Sequence, residues 1–297
     1  MKAPCDIRTN TMAENKMTRE EWLAMLAADG GAGLENIDLS DRDRACQILD
    51  RIDYEQQLTA IKGLLARNKA ADKQLEAERD EIMAFIRKST GSAQERAIDE
   101  SGENFYAMVY QGAAHSMAAL GMIAPTYESM FFHAFQGIRE AFRKAGVSPP
   151  PHARSGITIT DHYWDCHLVH SQDAKPKTRT NLVKGIMELA EATQLELPDG
   201  LQSLLEALFY YRNKMFHYGF EWPRSECLKF SKRIAEKKWD DWFERAEHAG
   251  EPWIFYMSDD FIKLCLGMTD KVLDALGRYC KDRLPVAAIP VEGLPFA

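Results

Sequence analysis

The sequence lacks any uninterrupted apolar run near the roughly 18 residues that a membrane-spanning helix needs. Residues 1–22 also lack an apolar stretch of signal-peptide length. The six cysteines are scattered and form no C-x-x-C pair, which predicts free thiols in a reducing compartment. These absences together predict a soluble, cytoplasmic protein that makes no membrane contact.

A basic surface is also missing. The formal net charge is −8, and residues 1–104 alone hold 21 acidic against 15 basic side chains. Proteins that attract nucleic acid over long distances carry a clustered positive field, and no such cluster is present in this sequence. Any contact with RNA is therefore expected to be local and short.

Alternating strand patterns are scarce, whereas helical spacing is common. Hydrophobic residues make up 45% of the 297 positions, enough for a large core. Several apolar-periodic segments with short connections predict an all-α helical bundle. Helices are expected over about 18–28, 40–67, 69–88, 104–122, 125–146, 180–194, 201–219, 225–248 and 258–283, with 252–257 as a short extended segment.

Composition divides the chain into three regions. Residues 1–90 are predicted to be an acidic helical N-terminal region, in which the helices at 40–67 and 69–88 pair as a hairpin. The boundary is placed near 90–104, after the linker-like stretch STGSAQ. Residues 104–283 are expected to form the bundle, and residues 284–297 an irregular tail that contains prolines.

The stretch YYRNKMFHYG at 210–219 places an arginine within an apolar helix. At about 100° per residue, Arg212 falls only about 20° from Leu201. It therefore lies in the middle of a stripe formed by Leu204, Leu205, Leu208, Phe209, Met215 and Phe216. Such an arginine must snorkel, line a cavity or pair with a carboxylate. The candidate carboxylates are those of Glu128, Glu140 and Glu188.

The opposite ridge of the same helix is polar. Asn213 and His217 are four residues apart, so Asn213 is predicted to contact His217 and fix its tautomer. The alternative role for His217 is to satisfy carbonyls at the helix end. Arg212 and His217 are separated by about 140° on an ideal helix. Their convergence requires a distorted helix end, the reach of the arginine, or a second copy in a two-fold dimer.

These residue types suit RNA cleavage. A histidine can serve as general acid or base near neutral pH, and an arginine can hold phosphate oxygens and stabilise developing charge. Attack by the 2′-OH then gives a cyclic phosphate without a metal or other cofactor. Tyr210, Lys214 and Tyr218 are the candidate substrate-binding residues, able to contact phosphate or stack a base. The alternative is that they are ordinary surface groups.

The run from Arg212 to His217 resembles the R-N-x-x-x-H form of the motif of HEPN domains. The resemblance implies a HEPN-type bundle, commonly dimeric, with additional N-terminal helices in this chain. It implies a metal-independent endoribonuclease in which Arg212 and His217 are catalytic and Asn213 supports them. HEPN proteins include toxins and antiphage ribonucleases, so RNA and an antitoxin or other protein are the implied partners. Some members bind nucleotides or act as scaffolds, which leaves a non-catalytic dimerisation or interaction module as the alternative.

A second segment, DHYWDCHLVH at 161–170, concentrates acids and histidines. Cys166 and His170 have a spacing that zinc can use, but no second spaced pair accompanies them. Packing of Trp164 is therefore the favoured role of this segment, and no metal site is predicted. A contribution to a substrate cleft is left open.

Overall fold

Most of the structure is helical, as the spacing of apolar residues in the sequence predicts. The computed structural model describes residues 40–50, 52–156, 160–170 and 179–284. Of these residues, 74% are helical, which confirms a mostly helical protein. The predicted helix at 18–28 lies outside the described residues, as does nearly all of the predicted tail at 284–297.

Eight helices and two short hairpins follow one another along the described chain. The helices are α1 (Asp41–Ile48), α2 (Tyr54–Lys88), α3 (Ser92–Ala145), α4 (Thr160–Tyr163), α5 (Leu182–Thr193), α6 (Leu201–Tyr218), α7 (Arg224–Lys237) and α8 (Asp259–Asp282), with a 3-10 turn at Ala153–Gly156. Two antiparallel hairpins join β1 (Leu168–Val169) to β2 (Arg179–Thr180) and β3 (Phe243–His248) to β4 (Glu251–Met257). In the longer hairpin Phe243 lies opposite Met257, and the register shifts between Ala246 and Glu247.

Two helix ends near the start of the described chain differ from the sequence prediction. The predicted helix at 40–67 is interrupted after Ile48, where Asp50 has a φ of 53°. The Asp53 side chain then caps a new helix by accepting from the backbone N–H of Gln56, 2.9 Å away. That helix, α2, continues through residue 88 without the expected break. The predicted hairpin of 40–67 with 69–88 is therefore wrong, and α2 packs instead along α3.

The single helix α3 replaces two predicted ones. Pro125 lies inside it, although the sequence predicted a helix end near Gly121. A proline removes one backbone donor and disturbs the preceding turn. The hydroxyl of Thr126 donates to the carbonyl of Met122 at 2.7 Å, one turn back in the same region. Buried residues on both sides of Pro125, including Leu120 and Tyr127, hold the two halves against the same core.

The predicted helix at 225–248 ends early. Lys238 adopts a left-handed conformation and its N–H bonds back to Ile234 and Ala235, which closes α7. Residues 243–248 then form β3, paired with the segment that the sequence predicted as extended. Phe243 and Ala246 are buried while the residues between them are exposed. The buried positions of this strand are therefore three residues apart, rather than two as in a regular strand.

Residues 40–88 share a core with the helices that follow the predicted boundary. All described residues fall within one compact unit. Arg42 of α1 donates to Asp274 at 2.6 Å and to Asp270 at 3.1 Å, both on α8. Gly277 lies directly against the backbone of Asp41, where a side chain would not fit. These contacts join the start of the described chain to its last helix.

Part of the core lies between α3 and α8. Tyr127, Phe131 and Phe135 stack in succession along one face of α3, with ring centroids 6.5 and 6.2 Å apart. All three are fully buried. The Tyr127 hydroxyl donates to the carbonyl of Cys265 on α8 at 2.7 Å, which satisfies its one polar group.

Two sequence predictions, free cysteines and the absence of a membrane-spanning helix, can be compared with the described residues. The five cysteines among the described residues, Cys46, Cys166, Cys227, Cys265 and Cys280, are free. No described helix is both long enough and apolar enough to cross a bilayer.

The close approach of α1 and α8 predicts a sharp effect of one methyl group. In Gly277→Ala the added carbon would lie 1.8 Å from the Asp41 carbonyl oxygen, so the helices must separate. We expect a loss of about 1–3 kcal/mol in the free energy of unfolding, measured by urea denaturation. Gly267→Ala on the same helix is the control, because its added carbon meets nothing within 4 Å. It should be neutral or stabilising, and equal losses in both variants would contradict the prediction.

Candidate functional site

The helix α6 presents the arginine–histidine motif on a fixed support. Tyr211, directly before Arg212, and Met215, between Asn213 and His217, are fully buried. The Tyr211 hydroxyl donates to the carbonyl of Phe255 on β4 at 2.7 Å. Gly219 ends the helix with a φ of 72°, and its N–H bonds to Met215. The motif therefore occupies the last two turns of a regular, anchored helix.

Arg212 lies at the edge of the apolar stripe. Its side chain is 35% exposed, and one terminal nitrogen is 3.9 Å from Glu128 of α3. Its guanidinium carbon is 5.9 Å from the ring centroids of both Phe209 and Phe216. Pairing with Glu128 was one of the alternatives left open by the sequence. Phe216 was expected in the stripe but is 60% exposed, so the apolar contact of this helix with the core ends at Met215.

Asn213 and His217 are both exposed. Among the described residues, no hydrogen bond joins Asn213 to His217, and the His217 ring centroid lies 6.5 Å from that of Tyr218. The helix runs without a break through residue 218. A distorted helix end therefore does not bring Arg212 and His217 together within one chain. Of the routes to convergence, a second copy and the reach of the arginine are left.

The candidate substrate-binding residues are brought together by the structure. Lys214 lies 5.4 Å from the ring centroid of Tyr210 and 5.5 Å from that of Tyr218. Its ammonium also pairs with Glu226 of α7. Tyr210 stacks on Phe230 with centroids 5.7 Å apart, whereas Tyr218 is 43% exposed. Of these three residues, Tyr218 is the most available for stacking on a base.

A carboxylate–histidine cluster adjoins Arg212 and was not assigned to the site from sequence. Glu128 lies 3.0 Å from Nε2 of His167, and Asp165 lies 3.0 Å from Nδ1 of the same ring. Each of the three side chains is about one-third exposed. Burial alone lowers the pKa of His167, but the hydrogen bonds to Glu128 and Asp165 outweigh it and the pKa is raised. The cluster therefore favours a protonated imidazole.

Arg154 holds the segment that carries this cluster. It is fully buried. Its guanidinium donates to the carbonyls of His162, Tyr163, Asp165 and Leu168 and to the carboxylate of Glu188. Those five bonds match its five donors. Burial lowers the pKa of this guanidinium, and the negative charge of Glu188 opposes that shift. The loop from His162 to Leu168 is therefore fixed around one cation.

The same loop contains the one grouping of metal-ligating atoms found among the described residues. Ligand atoms of Asp165, Cys166 and His167 lie within 4.8 Å of one another. Burial raises the pKa of the Cys166 thiol to about 12, which keeps it protonated and a poor ligand. Both nitrogens of His167 already face carboxylates. Trp164 is buried beside Phe142, in agreement with the packing role that the sequence favoured.

The sequence contained a partial signal for the cluster. The segment at 161–170 is dense in acids and histidines, and Glu128 was a proposed partner of Arg212. The link between the two required the fold, because Glu128 and His167 are 39 residues apart.

The comparisons with known proteins define no family for this chain. No family model matches it, and neither a curated protein nor a solved structure shows significant similarity to it. The class that the structure defines is thus a mostly helical protein with a solvent-accessible Arg-Asn-His motif beside a carboxylate–histidine cluster.

Removal of the buried cation should destabilise the protein strongly. Arg154→Met removes the cation that pairs with Glu188 and the donor to four carbonyls, so we expect a loss of about 3–5 kcal/mol in the free energy of unfolding. Urea denaturation measures it. The control is Arg143→Met, because that arginine is 68% exposed and pairs with Glu140 only at the surface. A surface pair contributes about 0–1 kcal/mol, and similar losses in both variants would refute the role of Arg154.

The charge of His167 predicts a defined pH dependence. A raised pKa in the folded state means that the histidine stabilises the protein fully below its unfolded pKa of 6.5. This contribution disappears as the pH rises through the folded pKa. The difference in unfolding free energy between wild type and His167→Gln should therefore shrink with rising pH. In a Glu128→Gln background the same comparison should depend less on pH, and an unchanged dependence would argue against the pair.

Proposed function

We propose that the protein is a metal-independent endoribonuclease of HEPN type. The observation that carries this proposal is the accessibility of the motif. Arg212 is one-third exposed, and Asn213 and His217 are exposed on an anchored helix. A buried motif would be structural, whereas this one can meet a polymer in solvent. A cytoplasmic toxin or antiphage effector is the biological setting that we propose for it.

In the proposed reaction His217 acts as general acid or base and Arg212 stabilises the phosphate. The 2′-oxygen attacks the adjacent phosphorus, the bond to the 5′-oxygen breaks, and a 2′,3′-cyclic phosphate forms. The proton leaves the 2′-OH and another reaches the 5′-oxygen, so one net proton transfer connects the two oxygens. Phosphate oxygens would replace Glu128 as the partner of Arg212, because the 3.9 Å separation is longer than a direct hydrogen bond.

The proposed active unit is a homodimer. Arg212 and His217 point about 140° apart on one regular helix, and a two-fold dimer would bring copies of both groups around one phosphate. The exposed rings of Phe216 and Phe132, 60% and 41% accessible, support an apolar contact there. Phe216 lies one helical turn from Arg212, and Phe132 lies one turn from Glu128.

The proposal is tested by RNA cleavage in EDTA with purified wild type, Arg212→Ala and His217→Ala. Loss of a general acid–base or of phosphate stabilisation should lower the cleavage rate by about 10²–10⁴-fold. Lys232→Ala is the matched control, because this lysine is on α7 and 79% exposed. It should cleave at the wild-type rate. Equal cleavage by all four proteins, or none by the wild type, would remove the catalytic role.

The second candidate function is a non-catalytic dimerisation or interaction module, which includes nucleotide binding. It is favoured by the pairing of two motif cations with carboxylates, Arg212 with Glu128 and Lys214 with Glu226. The net charge of −8 also opposes association with RNA. Expression in cells separates the two functions. Growth inhibition that disappears in His217→Ala supports the enzyme, whereas a stable dimer that neither inhibits growth nor cleaves RNA supports the module.

A further inference from the structure

A cavity of about 490 Å³ lies away from the motif, between α2, α3, the β3–β4 hairpin and the start of α8. Its volume is typical of a small-molecule site and far exceeds that of a metal ion. Part of its wall is apolar and aromatic, formed by residues such as Leu75, Phe105 and Tyr256. A ligand held in this cavity would therefore have an apolar body as well as a polar group.

Two residues of this cavity wall have buried polar atoms without a described partner. His115 lines it, is only 6% exposed, and has no described hydrogen-bond partner for its Nδ1. Asp72 lines it as well, and its buried Oδ1 has no partner among the described residues. Buried polar atoms are almost always paired, so two orphans in one cavity wall indicate a missing partner. The Asp72 oxygen can only accept, which asks for a ligand that donates.

The charges of the lining select the sign of the ligand. Five carboxylates line the cavity, those of Asp72, Glu76, Glu244, Asp259 and Asp260. The three cations of the lining are already engaged. Lys69 lies 2.9 Å from Asp259 and 3.5 Å from Oδ2 of Asp72, which leaves Oδ1 of Asp72 without a partner. Lys263 lies 3.0 Å from Asp260, and Arg79 lies 3.1 Å from Asp80. The side chain of Glu244 makes no ion pair or hydrogen bond among the described residues, and partial desolvation raises the pKa of its carboxyl.

An anion is disfavoured as the ligand although a helix begins at the cavity. The positive end of α8 is already occupied, because Ser258 caps it and Asp259 and Asp260 fill its first turn. A single metal ion is also disfavoured as the occupant. Among the described residues, metal-ligating atoms converge at 165–167 and not in this wall. The acceptors of the cavity are spread around a volume rather than gathered at a point.

We propose that this cavity binds a small organic cation, an amine or guanidine carried on a short apolar body. The ammonium or guanidinium group donates to Asp72 and Glu244, and neutral His115 accepts from it or from a neighbouring donor. Burial lowers the pKa of His115, with Asp72 and Asp259 opposing, which favours the neutral ring. The rings of Phe105 and Tyr256 supply faces for the body and for cation–π contact. This site is independent of the proposed ribonuclease.

The test compares 2-phenylethylamine with 2-phenylethanol, which differ in the charged donor and share the apolar body. Binding to the full chain is measured by calorimetry, and melting temperature by fluorescence. We expect the amine to bind and raise the melting temperature, and the alcohol to bind at least about tenfold more weakly. Asp72→Asn and Glu244→Gln should each weaken the amine by about tenfold. Glu78→Gln, an exposed residue of α2 outside the cavity, is the control and should bind as wild type.

His115→Leu supplies a readout that a structural histidine would not give. The imidazole Nδ1 makes no described hydrogen bond, so its replacement should leave the melting temperature unchanged or raise it, while amine binding falls. A lowered melting temperature with unchanged amine binding in Asp72→Asn would overturn the proposal. Equal binding of amine and alcohol, no binding of either at millimolar concentration, or binding of Zn²⁺ alone that depends on Asp72 would overturn it too.

Discussion

The buried guanidinium of Arg154 is the constraint on which the candidate site depends. A fully buried charge is tolerated only when it is paired and every donor is satisfied. In this protein that requirement is met by four carbonyls from residues 162–168 and one carboxylate from α5. The loop has little regular secondary structure. Its backbone carbonyls therefore accept hydrogen bonds from the Arg154 guanidinium rather than from a neighbouring strand. The position of His167 follows from it.

From this loop a series of polar contacts leads to the motif. His167 bonds to Glu128 on α3, and Glu128 faces Arg212 on α6. Three segments that are far apart in sequence thus meet at one half-exposed cluster. The cluster holds Arg212 beside a carboxylate in the isolated chain. For the proposed ribonuclease this pairing is a resting arrangement, in which the arginine is neutralised until a stronger phosphate partner replaces it.

Charged residues of α1 and α2 lie close to α8. Arg42 and Lys62 lie among acids of α8, with Lys62 3.4 Å from Asp270. Further along α2, Asp72 and Glu76 face the cavity together with the first residues of α8. The negative charge near α2 and α8 therefore surrounds a cavity that is built from other elements than the proposed RNA-binding helix. Both proposals can hold in one molecule because different surfaces carry them.

Sequence by itself determined the mostly helical composition and the helices at 201–219 and 258–283. Local signals suffice for these features, as with Ser258, whose side chain accepts from Phe261 to start α8. The sequence did not show which segments pack against each other. That α2 packs along α3, that α3 continues through Pro125, and that residues 243–248 turn into a strand are all decided by contacts between distant segments.

The candidate site divides in the same way. The spacing of Arg212, Asn213 and His217 was visible in one helical turn and a half. The helix contacts alone decided that Arg212 meets Glu128, that Phe216 is exposed and that Asn213 does not reach His217. His167 joined the cluster only because Arg154 folds its loop back onto α3. The carbonyls that surround the Arg154 guanidinium are brought together by the fold. No local sequence pattern indicates which carbonyls these will be.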